Sequence, residues 1–78
     1  MAVLDIAAQV DARGLSCPMP IVKTALAVKS LAPGSLLEVL ATDPGSKSDV
    51  PSWSKLSGHE LLDASETSGV YRYVIRKV

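Results

Sequence analysis

Apolar and polar positions alternate at the start of the chain: Ile6, Ala8 and Val10 against Ala7, Gln9 and Asp11. That period of two predicts a half-buried strand. Arg13-Gly14-Leu15-Ser16 reads as a turn, with Gly14 free to take a positive φ. From Pro18 to about Ser30 the period lengthens to that of a helix. Pro18, Ile21, Val22, Ala25, Leu26 and Val28 gather on one side of the wheel, with Lys23, Thr24, Ala27 and Ser30 opposite. The first set is the expected core face, with Lys29 inside it and its ammonium reaching water. Pro33-Gly34 closes the segment.

Leu36 to Thr42 is apolar except for Glu38, as suits a strand covered or flanked on both sides. Asp43-Pro44-Gly45-Ser46 forms a turn with two candidate helix N-caps, Asp43 and Ser46. A second helix follows to Ser57, with Val50, Trp53 and Leu56 as its expected core face. Pro51 must lie in its first turn or kink it, and Gly58 suits its end. His59–Glu66 and Val70–Lys77 are two strands joined by the hairpin signal Thr67-Ser68-Gly69. In the last, Tyr71, Tyr73 and Ile75 share one face and Arg72, Val74 and Arg76 the other.

The order is therefore βαβαββ. Right-handed crossovers progressing in one direction place both helices on one face of the sheet, giving an α/β two-layer sandwich. The turns after the first two strands and the hairpin then share one edge, here called the top. It carries Arg13 to Cys17, Asp43 to Ser46 and Thr67-Ser68-Gly69, while His59, Arg76 and Lys77 fall at the bottom.

Composition narrows the classes. Seventy-eight residues fit one domain, residues 1–78, whose core is aliphatic, since there are one Trp, two Tyr and no Phe. Eight Lys+Arg balance eight Asp+Glu, which argues against a dedicated nucleic-acid binder. One Cys and one His exclude an internal disulfide and leave a metal site short of ligands. No apolar run is long enough for a membrane-spanning helix, and no signal peptide is evident, so a reducing cytoplasm is the expected compartment.

Cys17 is the group that stands out. Pro18 is expected at the first helical position and Pro20 within the first turn, which puts Cys17 at the N-cap. Thiols at helix N-termini are held as thiolates, and Arg13 nearby could add positive charge. Cys is a mediocre cap beside Ser, Thr or Asp, so stability alone does not account for it. His59 falls on the other edge and is read as a surface residue rather than the partner in a Cys–His pair. Trp53, Tyr71 and Tyr73 are read as core, and Arg72, Arg76 and Lys77 as a solvated face. No carboxylate pair or general base accompanies Cys17. A thiol without acid–base partners suits carrying a group better than hydrolysis.

Asp11-Ala12-Arg13-Gly14-Leu15-Ser16-Cys17-Pro18-Met19-Pro20 resembles the signature of the TusA/SirA-like sulfur carrier family, whose hallmark is Cys-Pro-x-Pro. The likeness continues through Asp43-Pro44, Asp49-Val50-Pro51, Gly58-His59-Glu60-Leu61 and Tyr71-Arg72-Tyr73-Val74-Ile75-Arg76-Lys77. It implies a mixed four-stranded sheet with two helices on one face, and a Pro51 accommodated within the second helix. It further implies that Cys17 accepts sulfur as a transient persulfide, without a resident cofactor or metal. The donor would be a cysteine desulfurase or a rhodanese. A downstream acceptor protein would serve tRNA thiolation, molybdenum cofactor or sulfur oxidation. Arg13, Gly14, Pro18 and Pro20 would support the motif, and Asp43 matches a position on the docking side. Such a chain would be a monomeric persulfide carrier rather than a stand-alone turnover enzyme. It would contact neither membrane nor nucleic acid directly. Many relatives carry a second Cys where this chain has Trp53 or Ser54, so a one-thiol mechanism is expected. The alternative is a regulatory or interaction module of the same fold that transfers no sulfur.

Overall fold

Alternation does produce a strand at Ile6–Ala12 (β1), the first element of a computed structural model that describes residues 6–16 and 18–78. Helix α1 (Met19–Lys29), β2 (Leu36–Ala41), α2 (Ser46–Ser57), β3 (Glu60–Thr67) and β4 (Val70–Arg76) follow. The sheet order is β1-β2-β4-β3, with β1 parallel to β2 and β4 antiparallel to both neighbours. The mixed four-stranded sheet expected from the sequence is therefore present, with the β3–β4 hairpin folded back so that β4 lies beside β2. The hairpin turns through two residues, Ser68 and Gly69, both at positive φ (51° and 82°). Two such residues match the twist of the flanking strands.

One face of the sheet carries the core. Val10 and Ala12 of β1, Leu37, Val39 and Ala41 of β2, and Tyr73 and Ile75 of β4 are buried together with Val28 and Val50 of the helices. Both helices lie on that face and touch each other. Ser46 and Tyr73 share a buried hydroxyl hydrogen bond of 2.7 Å, tying the start of α2 to the central strand.

Among the described residues no helix covers the other face, so β2 is flanked on both sides but covered there on only one. A polar chain crosses all four strands there. Gln9 donates to Glu38 at 2.5 Å, Arg72 pairs with Glu38, and Arg72 reaches Asp63 at 3.5 Å. Arg76 pairs with Glu60 at 2.6 Å. Val74 is fully buried on this open face, between Glu38 and Asp63 in register, because these long side chains close over it. The segregated acids and bases of the last two strands thus face each other across the hairpin.

Both helices are rotated relative to the expected wheels. In α1 the buried residues are Pro20, Thr24 and Val28, with Ile21 and Ala27 packed against the core. Pro18, Met19, Val22 and Leu26 are exposed. Thr24 can be buried because its hydroxyl donates to the Pro20 carbonyl at 2.7 Å. In α2 the buried set is Ser46, Val50 and Ser54, with Trp53 partly buried, whereas Leu56 is 89 % exposed. Ser54 likewise satisfies its hydroxyl, donating to the His59 carbonyl at 2.6 Å. Neither Asp43 nor Ser46 is the N-cap of α2: Gly45 is, after successive i→i−3 bonds from Ser46, Lys47 and Ser48 tighten the entry. Pro51 lies inside α2, beyond the first turn. The helix ends at Gly58, as expected.

Candidate functional site

The top edge is assembled as the alternation and turn signals imply. β1 and β2 end side by side at Ala12 and Ala41, and Tyr71 of β4 is registered with Ala41. The β1–α1 turn, the β2–α2 turn and the hairpin therefore open on the same edge. His59 lies at the opposite edge, where its Nδ1 accepts from the Val78 N–H at 3.2 Å and its ring approaches Trp53. It is not placed with the Arg13–Pro18 turn.

That turn is held at several points. The Arg13 guanidinium donates to both carboxylate oxygens of Asp11 at 2.9 Å. These hydrogen bonds, with the Arg13 backbone N–H, hold the Asp11 carboxyl at about 2. The guanidinium is thus paired with Asp11. Gly14 has φ 79°, with nothing among the described residues within 4 Å of where a Cβ would lie, so glycine answers a backbone requirement there. Its N–H donates to the Thr42 hydroxyl at 2.9 Å, which ties this turn to the end of β2. Leu15 packs against the core.

Cys17 itself lies outside the described residues; its neighbours are described on both sides. Met19 N–H donates to the Ser16 carbonyl at 2.9 Å, and Val22 N–H to the Pro18 carbonyl at 3.1 Å. Pro18, with φ −97° and ψ 12°, is the N-cap of α1, so the expected assignment of that position to Cys17 is corrected by one residue. The cause is local: Pro18 takes a turn conformation rather than a helical one, and its carbonyl accepts the first intrahelical bond. Pro20 is then at the second helical position, buried, where a missing N–H costs nothing. The first turn of α1 holds no acidic residue.

Asp43 adjoins this turn through Thr42. It is half-buried, and its Oδ1 accepts from the Gly45 N–H at 3.3 Å, making it the turn residue its sequence suggests. A Cβ on Gly45 would come within 3.1 Å of Asp43 Oδ2, so glycine makes room for the carboxylate. The structure thus brings Arg13, Gly14, Pro18, Pro20 and Asp43 to one edge. The C-terminal cations are engaged elsewhere. Arg72 and Arg76 are ion-paired, and Lys77 Nζ donates to the Leu31 carbonyl at 2.6 Å beyond the end of α1. Tyr73 is core as expected, and Tyr71 is half-buried with Lys47 Nζ 5.9 Å from its ring centre. Sequence reasoning missed the outward apolar side chains of α1. The signal was present in Thr24 and Pro20, a hydroxyl and a carbonyl four residues apart that can satisfy each other in the core.

The two-layer βαβαββ sandwich carries the sequence Cys17-Pro18-Met19-Pro20 where the β1–α1 turn enters α1. The chain belongs to the TusA sulfurtransferase family, whose model matches residues 8–77. It is 46 % identical over 73 residues to the sulfur carrier protein TusA of Pseudomonas aeruginosa, covering 94 % of this chain and 92 % of the relative. Identity to the sulfur carrier protein TusA of Pseudomonas putida is 48 % over 67 residues, 86 % of this chain and 84 % of that one. The SirA-like protein of Desulfitobacterium hafniense shares the fold, with a TM-score of 0.80 at 24 % identity over 88 % of this chain and 95 % of that one. Among the described residues no helix is long and apolar enough to cross a membrane.

Proposed function

We propose that Cys17 carries the sulfur. Its thiolate attacks the terminal sulfur of a persulfide on the donor, a cysteine desulfurase or a rhodanese. The donor S–S bond breaks, its electron pair returns to the donor cysteine as a thiolate, and Cys17 becomes the persulfide anion. The same step in reverse sense delivers the sulfur to a downstream acceptor protein. No external oxidant or reductant enters, because one thiolate and one persulfide are exchanged for another pair. A reducing cytoplasm keeps the thiol available.

The observation that carries this reading is the family match spanning the Cys17-Pro18-Met19-Pro20 motif, with Cys17 the only cysteine of the chain. In this reading Gly14, Pro18 and Pro20 support the motif by shaping the described residues beside Cys17, and Asp43, on the same edge, meets a docked protein. Arg13 serves chiefly to hold Asp11. Incubation with a cysteine desulfurase and cysteine, followed by intact mass measurement, tests the reading. A gain of ~32 Da per sulfur, lost in Cys17→Ser, is expected; no gain, or a gain that survives the substitution, refutes it.

A further inference from the structure

The pairing of β1 with β2 ends at Ala12 and Ala41. Past that point the chain leaving β1 is outside the ladder, and Gly14 turns away at positive φ. Its N–H is met by a side chain instead, the Thr42 hydroxyl at 2.9 Å. Thr42 directly follows the last paired residue of β2 and is half-buried. The other bonds of this turn are short in sequence. Arg13 N–H donates to Asp11 Oδ1 at 3.2 Å, Leu15 N–H to the Ala12 carbonyl at 3.2 Å, and Met19 N–H to the Ser16 carbonyl at 2.9 Å. Local bonds of this kind shape a turn without fixing it to the rest of a fold. The bond to Thr42 spans 28 residues and does fix it, together with the packing of Leu15 on the core. Thr42 is steadied from its other side. Asp43 accepts from the Gly45 N–H, and Ser46 is bonded to Tyr73 in the interior.

We propose that Thr42 is a positioning residue for sulfur exchange at Cys17. The inference rests on the reading of Cys17 as the sulfur-bearing residue and adds the group that keeps the turn before it in one arrangement. Thiolate attack on a persulfide needs the attacking, transferred and leaving sulfurs nearly in line. A docked donor holds its persulfide in one place, so a turn with several arrangements is aligned for only part of the time. Misalignment lowers the rate of the chemical step rather than the strength of docking. The Thr42 hydroxyl acts through the Gly14 backbone and not on the sulfur itself. One hydrogen bond on an exposed turn adds little to global stability, so the effect is local. Thr42→Val keeps the shape and the branching at Cβ and removes only the acceptor, whereas Thr42→Ser keeps the acceptor.

The test compares the native chain with Thr42→Val, Thr42→Ser and Thr42→Ala, the last being a second variant without an acceptor. Transfer from a cysteine desulfurase supplied with cysteine is followed by intact mass as a function of carrier concentration. Alkylation of Cys17 by iodoacetamide is measured in parallel across the range in which thiols titrate. Circular dichroism establishes which variants are folded at the assay temperature. In Thr42→Val and Thr42→Ala, kcat is expected to fall about tenfold, with KM for the carrier within about twofold of native. Thr42→Ser recovers most of the rate. Alkylation keeps its native rate and pH midpoint in all three, because a small reagent reaches the thiol from many directions. Native kcat in a folded acceptor-free variant overturns the proposal. So does a Thr42→Ser chain as slow as Thr42→Val, since the acceptor is then not the cause. Alkylation that falls in step with transfer also overturns it, because the hydroxyl then acts on thiol ionisation rather than on placement. If the native chain takes up no sulfur from the desulfurase, the sulfur-carrying reading itself falls and the role of Thr42 falls with it.

Discussion

The hydroxyls of Ser46 and Tyr73, 27 residues apart in sequence, meet at 2.7 Å in the interior. Burial pushes the Tyr73 phenol above its ordinary range, and the Ser46 contact only partly offsets this. Each hydroxyl would be stranded by loss of the other. Ser46→Ala and Tyr73→Phe are each expected to destabilise the fold by about 1–3 kcal/mol. The double variant should lose less than the sum, which denaturant unfolding of the four proteins in a cycle would show.

The rotation of α1 makes opposite forecasts for two neighbouring apolar residues. Leu26→Ser should leave stability within about 0.5 kcal/mol, because the side chain is already in water. Val28→Ala, two residues on and 4 % exposed, should cost about 1–3 kcal/mol. Equal effects in thermal unfolding would contradict the orientation of the helix.

Gly14 provides a backbone test beside the motif. Its positive φ, with no described residue within 4 Å of the missing Cβ, means that Gly14→Ala is strained by conformation, at about 1–2 kcal/mol. Gly14→Asn should cost less, since Asn tolerates this region. Matching losses for the two would point to a steric cause instead.

Acid should protonate the paired carboxylates Asp11 and Glu38 later than ordinary ones. The folded Asp11 carboxyl, at about 2, lies below its usual 3.8. Glu38 is also lowered, by hydrogen bonds from Gln9 and then Arg72. A lowered folded pKa contributes stability that is present above the ordinary carboxylate range and lost as pH falls through the folded value. Carboxyl NMR titration should therefore place the Asp11 midpoint near 2, and Arg13→Gln should raise it. No movement in that variant would exclude the ion pair as the cause.

Element order, the mixed sheet and the shared top edge were legible because strand alternation, Gly and Pro punctuation and crossover handedness are local or topological rules. Helix orientation was not. A wheel ranks residues by hydrophobicity, whereas Thr24 and Ser54 enter the core by bonding their hydroxyls to backbone carbonyls. The N-cap shifted from Cys17 to Pro18 because a proline after a turn can close that turn instead of opening the helix. The role of Arg13 depended on Asp11, two residues earlier and already in the strand, which captured its guanidinium. The place of β4 between β2 and β3 could not be read from periodicity, which is compatible with either hairpin strand beside β2.

That place of β4 bears on how the chain is made. Synthesis produces β1, β2 and β3 before β4, yet β4 joins β2 to β3. Until residues 70–76 leave the ribosome, β2 has one unpaired side and the Ser46 hydroxyl has no Tyr73 to meet. Emergence of the last strand should therefore complete the sheet in one late event, and a ribosome stalled before it should hold a nascent chain open to chaperones and proteases.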